Sequence, residues 1–334
     1  MQTALLNNRQ TRRKIHIRPN LTIMKGTIAD LKFIRYGDIV VPIVMGKERK
    51  RIINHIVPQG LNQYVNNLLT VINNAESQSS SISGWNSSPS NTIQLLNNGS
   101  VVQILTPTII PVLNGSTVIW VFIANDLSSA SYTANQVNLF VSVNYTTNYG
   151  ASQGGTIQYS PAFNFATATT SIVKQSGETI SFIWEIQLNL GSYALTDFML
   201  GILYSIPVVQ TSCSGSTVQL GIFGGISGLP YTGPYYFSGI TLQYVGGSSS
   251  GNKSSITTSY DGTNTYLVMS ASVSLSSQVT ATSVVVNVSP PITNNFCVNG
   301  IQVTSGSVIQ IPYSATLPSG TVTVTVTIEF SPAT

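Results

Sequence analysis

Along much of this chain apolar and polar residues alternate with a period of two, the pattern of strands that bury one face and wet the other. Val137, Leu139, Val141, Val143 and Tyr145 alternate with Asn138, Ser142 and Asn144, broken only by Phe140. Ile180, Phe182, Trp184, Ile186 and Leu188 alternate in the same way with Thr179, Ser181, Glu185 and Gln187, and Val322 to Phe330 runs without a break against Thr321, Thr323, Thr325, Thr327 and Glu329. Shorter runs between Gly, Pro, Asn and Ser breaks predict further strands at 92–96, 101–105, 118–124, 162–167, 198–204, 218–223, 237–244, 265–270, 279–288, 300–304 and 308–311. One stretch has a different period. Leu61, Tyr64, Val65, Leu68, Leu69 and Ile72 recur at threes and fours after Pro58-Gln59-Gly60, which predicts an amphipathic helix of about four turns with an Asn- and Gln-rich outer face. Such a helix either self-associates or packs under the β body. Ahead of it, the short apolar runs 31–34 and 39–44, punctuated by Gly26, Gly37-Asp38 and Pro42, suggest short strands or turns.

Two stretches of low complexity divide the pattern. Residues 77–90 form a Ser-rich linker, and Gly246-Gly247-Ser248-Ser249-Ser250-Gly251 reads as a boundary. The expected organisation is mostly β: an N-terminal anchor with its helix over 1–76, a jelly-roll-like sandwich over 91–245, and a small immunoglobulin-like β-sandwich over 252–334.

Charge changes this picture at one end. Charged residues make up only 7% of the chain, against about 25% in ordinary globular proteins. Twelve of its fourteen Lys and Arg residues fall between Arg9 and Arg51, against three carboxylates there, so residues 1–51 carry +9 and the remainder −5. Within residues 1–20, Arg9, Arg12, Arg13, Lys14 and Arg18 stand among Asn and Gln, the signature of an extended basic arm, and Lys47, Arg49, Lys50 and Arg51 form a second cluster. Such residues neutralise nucleic-acid phosphates or thread along a neighbouring subunit.

Candidate chemistry is sparse. Both histidines, His16 and His55, fall in the basic segment, so a nucleophile elsewhere would lack its usual base and a metal site its imidazole. Glu178 and Glu185, seven residues apart on one strand, fall on opposite faces. No enzyme activity and no cofactor are expected. Cys213 and Cys297 are too few for a disulfide framework and read as buried thiols. No apolar run is long enough to span a bilayer, and no apolar core follows the first basic residues as in a secretory signal. Tyr231, Tyr235 and Tyr236, set among Gly and Pro, could stack on a receptor glycan or cap the core of the sandwich.

The basic N-terminus and the charge-poor Ser/Thr/Asn/Gly-rich β body resemble structural proteins of viruses infecting hyperthermophilic acidophilic archaea, including turret or penton proteins built from stacked jelly rolls. Tyr36-Gly37-Asp38-Ile39-Val40 and Val57-Pro58-Gln59-Gly60-Leu61-Asn62-Gln63-Tyr64-Val65 are similar to the segments that open many tail-fibre and spike proteins before a short helix. The resemblance implies a homo-oligomeric virion component at a capsid vertex, turret or spike. Its basic foot would dock on other capsid subunits or viral DNA, and its β domains would project towards the host surface and its glycans. The alternative is a secreted archaeal surface filament or adhesin subunit.

Overall fold

The computed structural model describes residues 12–36, 39–46, 48–77, 91–114, 117–142, 144–147, 156–159, 161–189, 207–209, 217–219, 236–289, 297–298, 301–302 and 306–333. The chain opens with β1 (Arg12–Gly26), followed by the hairpin β2 (Leu31–Tyr36) and β3 (Ile39–Val44), by β4 (Glu48–Ile52) and β5 (Asn54–Ile56), and by α1 (Pro58–Ser77). Next come β6 (Thr92–Asn97), β7 (Ser100–Leu105), β8 (Thr108–Asn114), β9 (Thr117–Asp126) and β10 (Tyr132–Val141). A short ladder of β11 (Asn144–Thr147) with β12 (Thr156–Tyr159) precedes the long strands β13 (Phe163–Lys174) and β14 (Thr179–Asn189). After a second short ladder, β15 (Pro207–Val209) with β16 (Thr217–Gln219), the chain forms β17 (Tyr236–Tyr244), β18 (Gly247–Tyr260), β19 (Thr265–Leu275) and β20 (Val279–Ser289). The last strands are β21 (Cys297–Val298), β22 (Ile301–Gln302), β23 (Gly306–Leu317) and β24 (Gly320–Pro332).

The fold is mostly β, as the alternation predicts. An eleven-stranded sheet runs in the order β23-β20-β17-β18-β19-β24-β1-β14-β9-β8 with β4 beside β1, and a five-stranded sheet runs β5-β13-β10-β6-β7. Their apolar faces share one continuous core, in which Trp120, Phe122, Phe182 and Trp184 of the larger sheet and Val137, Leu139 and Phe165 of the smaller are buried.

The basic arm expected over residues 1–20 is not an arm where the structure describes it. From Arg12 onward the chain is a strand inside the large sheet. It pairs antiparallel with β14 from His16↔Asn189 to Gly26↔Thr179, and parallel with β24 from Arg12↔Thr327 to Ile17↔Pro332. The reason is the period-two pattern hidden among the charges. Ile15, Ile17, Leu21 and Ile23 point into the core, while Lys14, His16 and Arg18 occupy the other face. This strand joins β14, from the segment read as a jelly roll, to β24, from the segment read as a separate small sandwich.

The boundary expected at Gly246–Gly251 is likewise built into the sheet. Val245 and Gly246, the latter at φ 90°, make the tight turn between β17 and β18. β18 then changes partner, pairing with β17 through Asn252 and with β19 from Lys253 onward, with a register shift between Lys253 and Ser255. Glycine is needed at this corner because a Cβ on Gly251 would lie 2.1 Å from the Ser272 carbonyl oxygen, and one on Gly239 2.1 Å from that of Gly251. Lys253, at this corner, is half-buried, and that burial holds its ammonium below the ordinary lysine value.

The predicted helix is present and packs on the body, against β13, β17, β18 and β19. Leu61, Tyr64 and Val65 are fully buried, and Leu69 packs on the core from its edge. Tyr64 meets Trp120 edge-on at 6.3 Å and tilts over Phe165 at 5.7 Å, so the helix touches aromatics of both sheets. Leu68 and Ile72 lie on the same helix. The expected linker over 77–90 falls, from residue 78, outside the described residues, as do Arg9, Lys47, Tyr231, Tyr235, Cys213 and the predicted strand 198–204.

Candidate functional site

The outer face of β1 carries the candidate site. Alternation sends Lys14, His16, Arg18, Asn20, Thr22 and Met24 to this face, and the antiparallel register of β4 adds Arg51 opposite Thr22 and Arg49 opposite Met24. Lys14 and Arg18 of the first cluster and Arg49 and Arg51 of the second thus share one face. Lys14 is partly tied down: its Nζ is 3.3 Å from Oε1 of the buried Glu329. Arg51 donates from Nε to Asn20 Oδ1 at 2.9 Å, and Asn20 Nδ2 donates to Glu185 Oε2 at 2.9 Å, a relay that holds the Arg51 side chain against the sheet. Arg18, beside Gln187, and Arg49 are exposed and make no ion pair among the described residues. Arg12 and Arg13 sit on β1 opposite Thr327 and Ile328.

The hairpin β2–β3 covers the far end of this face. Val41 and Ile43 pack on Met24, Ile110, Val121 and Ile123. Polar bonds fix its seating: the Val44 amide donates to Ser181 Oγ at 2.8 Å and Asn125 Nδ2 donates to the Pro42 carbonyl at 2.8 Å. Lys32 and Arg35 are exposed on this hairpin, together with Phe33 at 72% and Val40 at 54%.

Not every predicted basic residue joins the line. Lys50 pairs with Ile23 in register and so belongs to the opposite face, where it lines a small cleft with Lys25, Glu48, Ser171 and Val173 at the mouth of the two sheets. Lys25 closes that mouth, with its Nζ 2.9 Å from Glu178 Oε2 and donating to the Val173 carbonyl at 2.9 Å. The Gln175 amide, donating to Glu178, and then Lys25 hold the Glu178 carboxyl below the usual carboxylate value. His16 and His55 are both exposed, and Tyr236 opens β17.

A second electrostatic feature went unread in the sequence. Lys174, at the end of β13, is 1% exposed, and so is Asp126, at the end of β9. Their charged atoms are 3.7 Å apart, and Lys174 Nζ donates to the Ser128 and Ala130 carbonyls and lies 5.8 Å from the centre of the Tyr132 ring. Asp126 accepts from the Ser128 amide at 2.9 Å, the Ser128 hydroxyl at 2.6 Å and the Tyr132 hydroxyl at 2.7 Å. Burial alone would raise the Asp126 carboxyl. The Ser128 and Tyr132 bonds and the Lys174 charge outweigh it and hold the group below its ordinary value. Tyr132 is pushed up, first by burial and then by the carboxylate it serves. Only position 132, a tyrosine before an alternating strand, hinted at this knot, since nothing in the local pattern pairs Asp126 with Lys174.

Among the described residues no group of three or more His, Cys, Asp or Glu side chains could hold a metal, and no helix is long and apolar enough to cross a membrane. Set beside protein-family models, curated proteins and solved structures, the chain matches none of them.

Proposed function

We propose that this protein is a structural subunit of a virion, at a capsid vertex, turret or spike, held in place by the cationic outer face of β1 and β4. In this proposal the halves taken from the sequence as jelly-roll-like and immunoglobulin-like sandwiches act as one body, stitched together by β1. Its low-charge Ser/Thr/Asn surface would face outward, towards the host surface and its glycans. The observation that carries the proposal is the sorting of charge: Lys14, Arg18, Arg49 and Arg51 line one face of a chain with only 7% charged residues. A mainly cationic stripe, with Glu329 and Glu185 the carboxylates seated on it, on an otherwise nearly neutral protein steers one face towards one partner. The charge-poor remainder, rich in Ser and Thr, is what the resemblance to archaeal-virus structural proteins rests on.

Mass spectrometry of purified particles and of the cell-surface fraction from the same culture tests this. Peptides of the chain in stoichiometric amounts in the particles support the virion proposal. Recovery from the surface fraction, with none in particles, overturns it in favour of a filament or adhesin subunit.

A further inference from the structure

We infer that the outer face of β1 and β4 binds the phosphate backbone of a nucleic acid, without reading bases. This deepens the structural-subunit proposal by naming the partner of its cationic face.

The geometry is a track. From Lys14 to the level of Met24 the strand advances ten residues, roughly 33 Å at about 3.3 Å per residue, close to one turn of duplex DNA. Cations stand along it at the levels of residue 14, residue 18, residue 22 through Arg51 and residue 24 through Arg49. Between them lie side chains able to donate to phosphate oxygens: His16 and Gln187. Guanidiniums outnumber ammoniums on the track, and their planar fork suits phosphate. Lys32 and Arg35 are also exposed, on the hairpin that covers its far end.

A second copy of this chain fits the face poorly, because the chain has few carboxylates to offer. Of the seven whose side chains are described, six are engaged within the chain. Asp126 and Glu329 are buried against Lys174 and Lys14. Glu178 pairs with Lys25, and Glu185 holds Asn20. Asp30 accepts from the Thr27 amide and hydroxyl, and Asp261 accepts the Thr263 and Asn264 amides of its own turn. Only Glu48 is left, and it lies on the opposite face. None of the seven described carboxylates is free to complement the track, so we assign its anions to another molecule, and a row of cations roughly 33 Å long favours a polymer of phosphates.

The test is binding of the purified full-length chain to a short random-sequence DNA duplex, and to a single strand of the same length, over a salt series. Four phosphate contacts predict a slope of log K on log salt near −3.6 for the duplex, which is roughly a 100-fold loss between 50 and 200 mM salt. Different duplex sequences should bind alike. The double variant Arg18→Gln/Arg49→Gln, at two exposed positions, should keep its melting temperature and reduce the slope by about two, leaving roughly a 10-fold loss over that range. A slope nearer −0.7 per contact on the single strand, with tighter binding there, would keep the inference and identify single-stranded nucleic acid as the source of the phosphates. No binding, binding indifferent to salt, or an unchanged slope in the folded double variant overturns the inference. Displacement of the duplex by poly-glutamate at equal charge concentration also overturns it and makes an acidic protein the partner. None of these failures bears on recovery of the chain in particles, so the two proposals fail separately.

Discussion

Deleting residues 1–26 should unfold the protein, although the charge pattern invites the opposite expectation, that an N-terminal foot can be cut away from a folded body. β1 places Ile15, Ile17, Leu21 and Ile23 in the main core and Met24 in the small core beneath the β2–β3 hairpin, all at 7% exposure or less. At about 1.5–3 kcal/mol for each buried side chain, those five account for roughly 8–15 kcal/mol. Removal would also leave β14 unpaired along the register from His16↔Asn189 to Gly26↔Thr179, and β24 over its last six pairs. A typical domain holds only about 5–15 kcal/mol in all, so the loss matches the whole margin. Circular dichroism and thermal melting of the 27–334 chain read this directly: no cooperative transition, with dye-binding apolar surface exposed. Leu21→Ala gives the graded version, a cost of about 2–5 kcal/mol and a fall in Tm of roughly 4–15 °C. A truncated chain that melts cooperatively near the full-length temperature would refute the assignment of β1 to the centre of the sheet. Truncation is also the wrong test of docking by this face, which calls for charge substitutions at Arg18, Arg49 and Arg51 in a full-length chain.

Other outcomes follow from the same geometry. Lys174→Met should destabilise by about 3–5 kcal/mol in chemical denaturation, because it strands the buried Asp126 carboxylate, whereas Lys174→Met/Asp126→Leu should recover much of that loss. Because the folded Asp126 carboxyl lies below its unfolded value, its contribution is complete above about pH 4 and is lost as pH falls through the folded value. The wild-type Tm should therefore drop in acid more steeply than that of Asp126→Asn, which starts lower at neutral pH. Gly251→Ala should cost more than an ordinary surface substitution, since its Cβ would meet the Ser272 carbonyl backbone; a melt unchanged within error would show that the corner can relax. Amine-reactive labelling of the isolated protein should modify Lys32 and Lys50 quickly and spare Lys174 until global unfolding, with protection read by peptide mass mapping.

Much of the fold was legible because alternation is a local signal. The strands around Val137, Ile180 and Val322 and the helix over Leu61 to Leu69 are present where their periods place them. What failed to show was anything decided by partners distant in sequence. The stretch Lys14-Ile15-His16-Ile17-Arg18 has the same period-two alternation as Thr321 to Phe330, but Lys14 and Arg18 at its polar positions are charged, and charge dominated the expectation of an arm. Burial of Ile15 and Ile17 requires β14 and β24, more than 150 residues away, to make the slot. The Gly/Ser run from Gly246 to Gly251 misled for a related reason. Glycine marks both flexible chain and close backbone approach, and only the neighbouring Ser272 carbonyl separates the two cases. The cationic line was half legible: its residue types were evident, but its division into a continuous outer row and an inner Lys50 depends on the register of β4 against β1.

That register also ties the candidate site to stability. The side chains proposed to meet phosphate alternate with those that close the core: Ile15 and Ile17, between Lys14 and Arg18, are both buried. A cation on a strand clamped between β14 and β24 loses less freedom on binding than one on a loose arm. The geometry of the track is also preset by the sheet. Lys14 and Arg18 therefore belong to a strand paired within the large sheet, and electrostatic docking on this face would need no folding step.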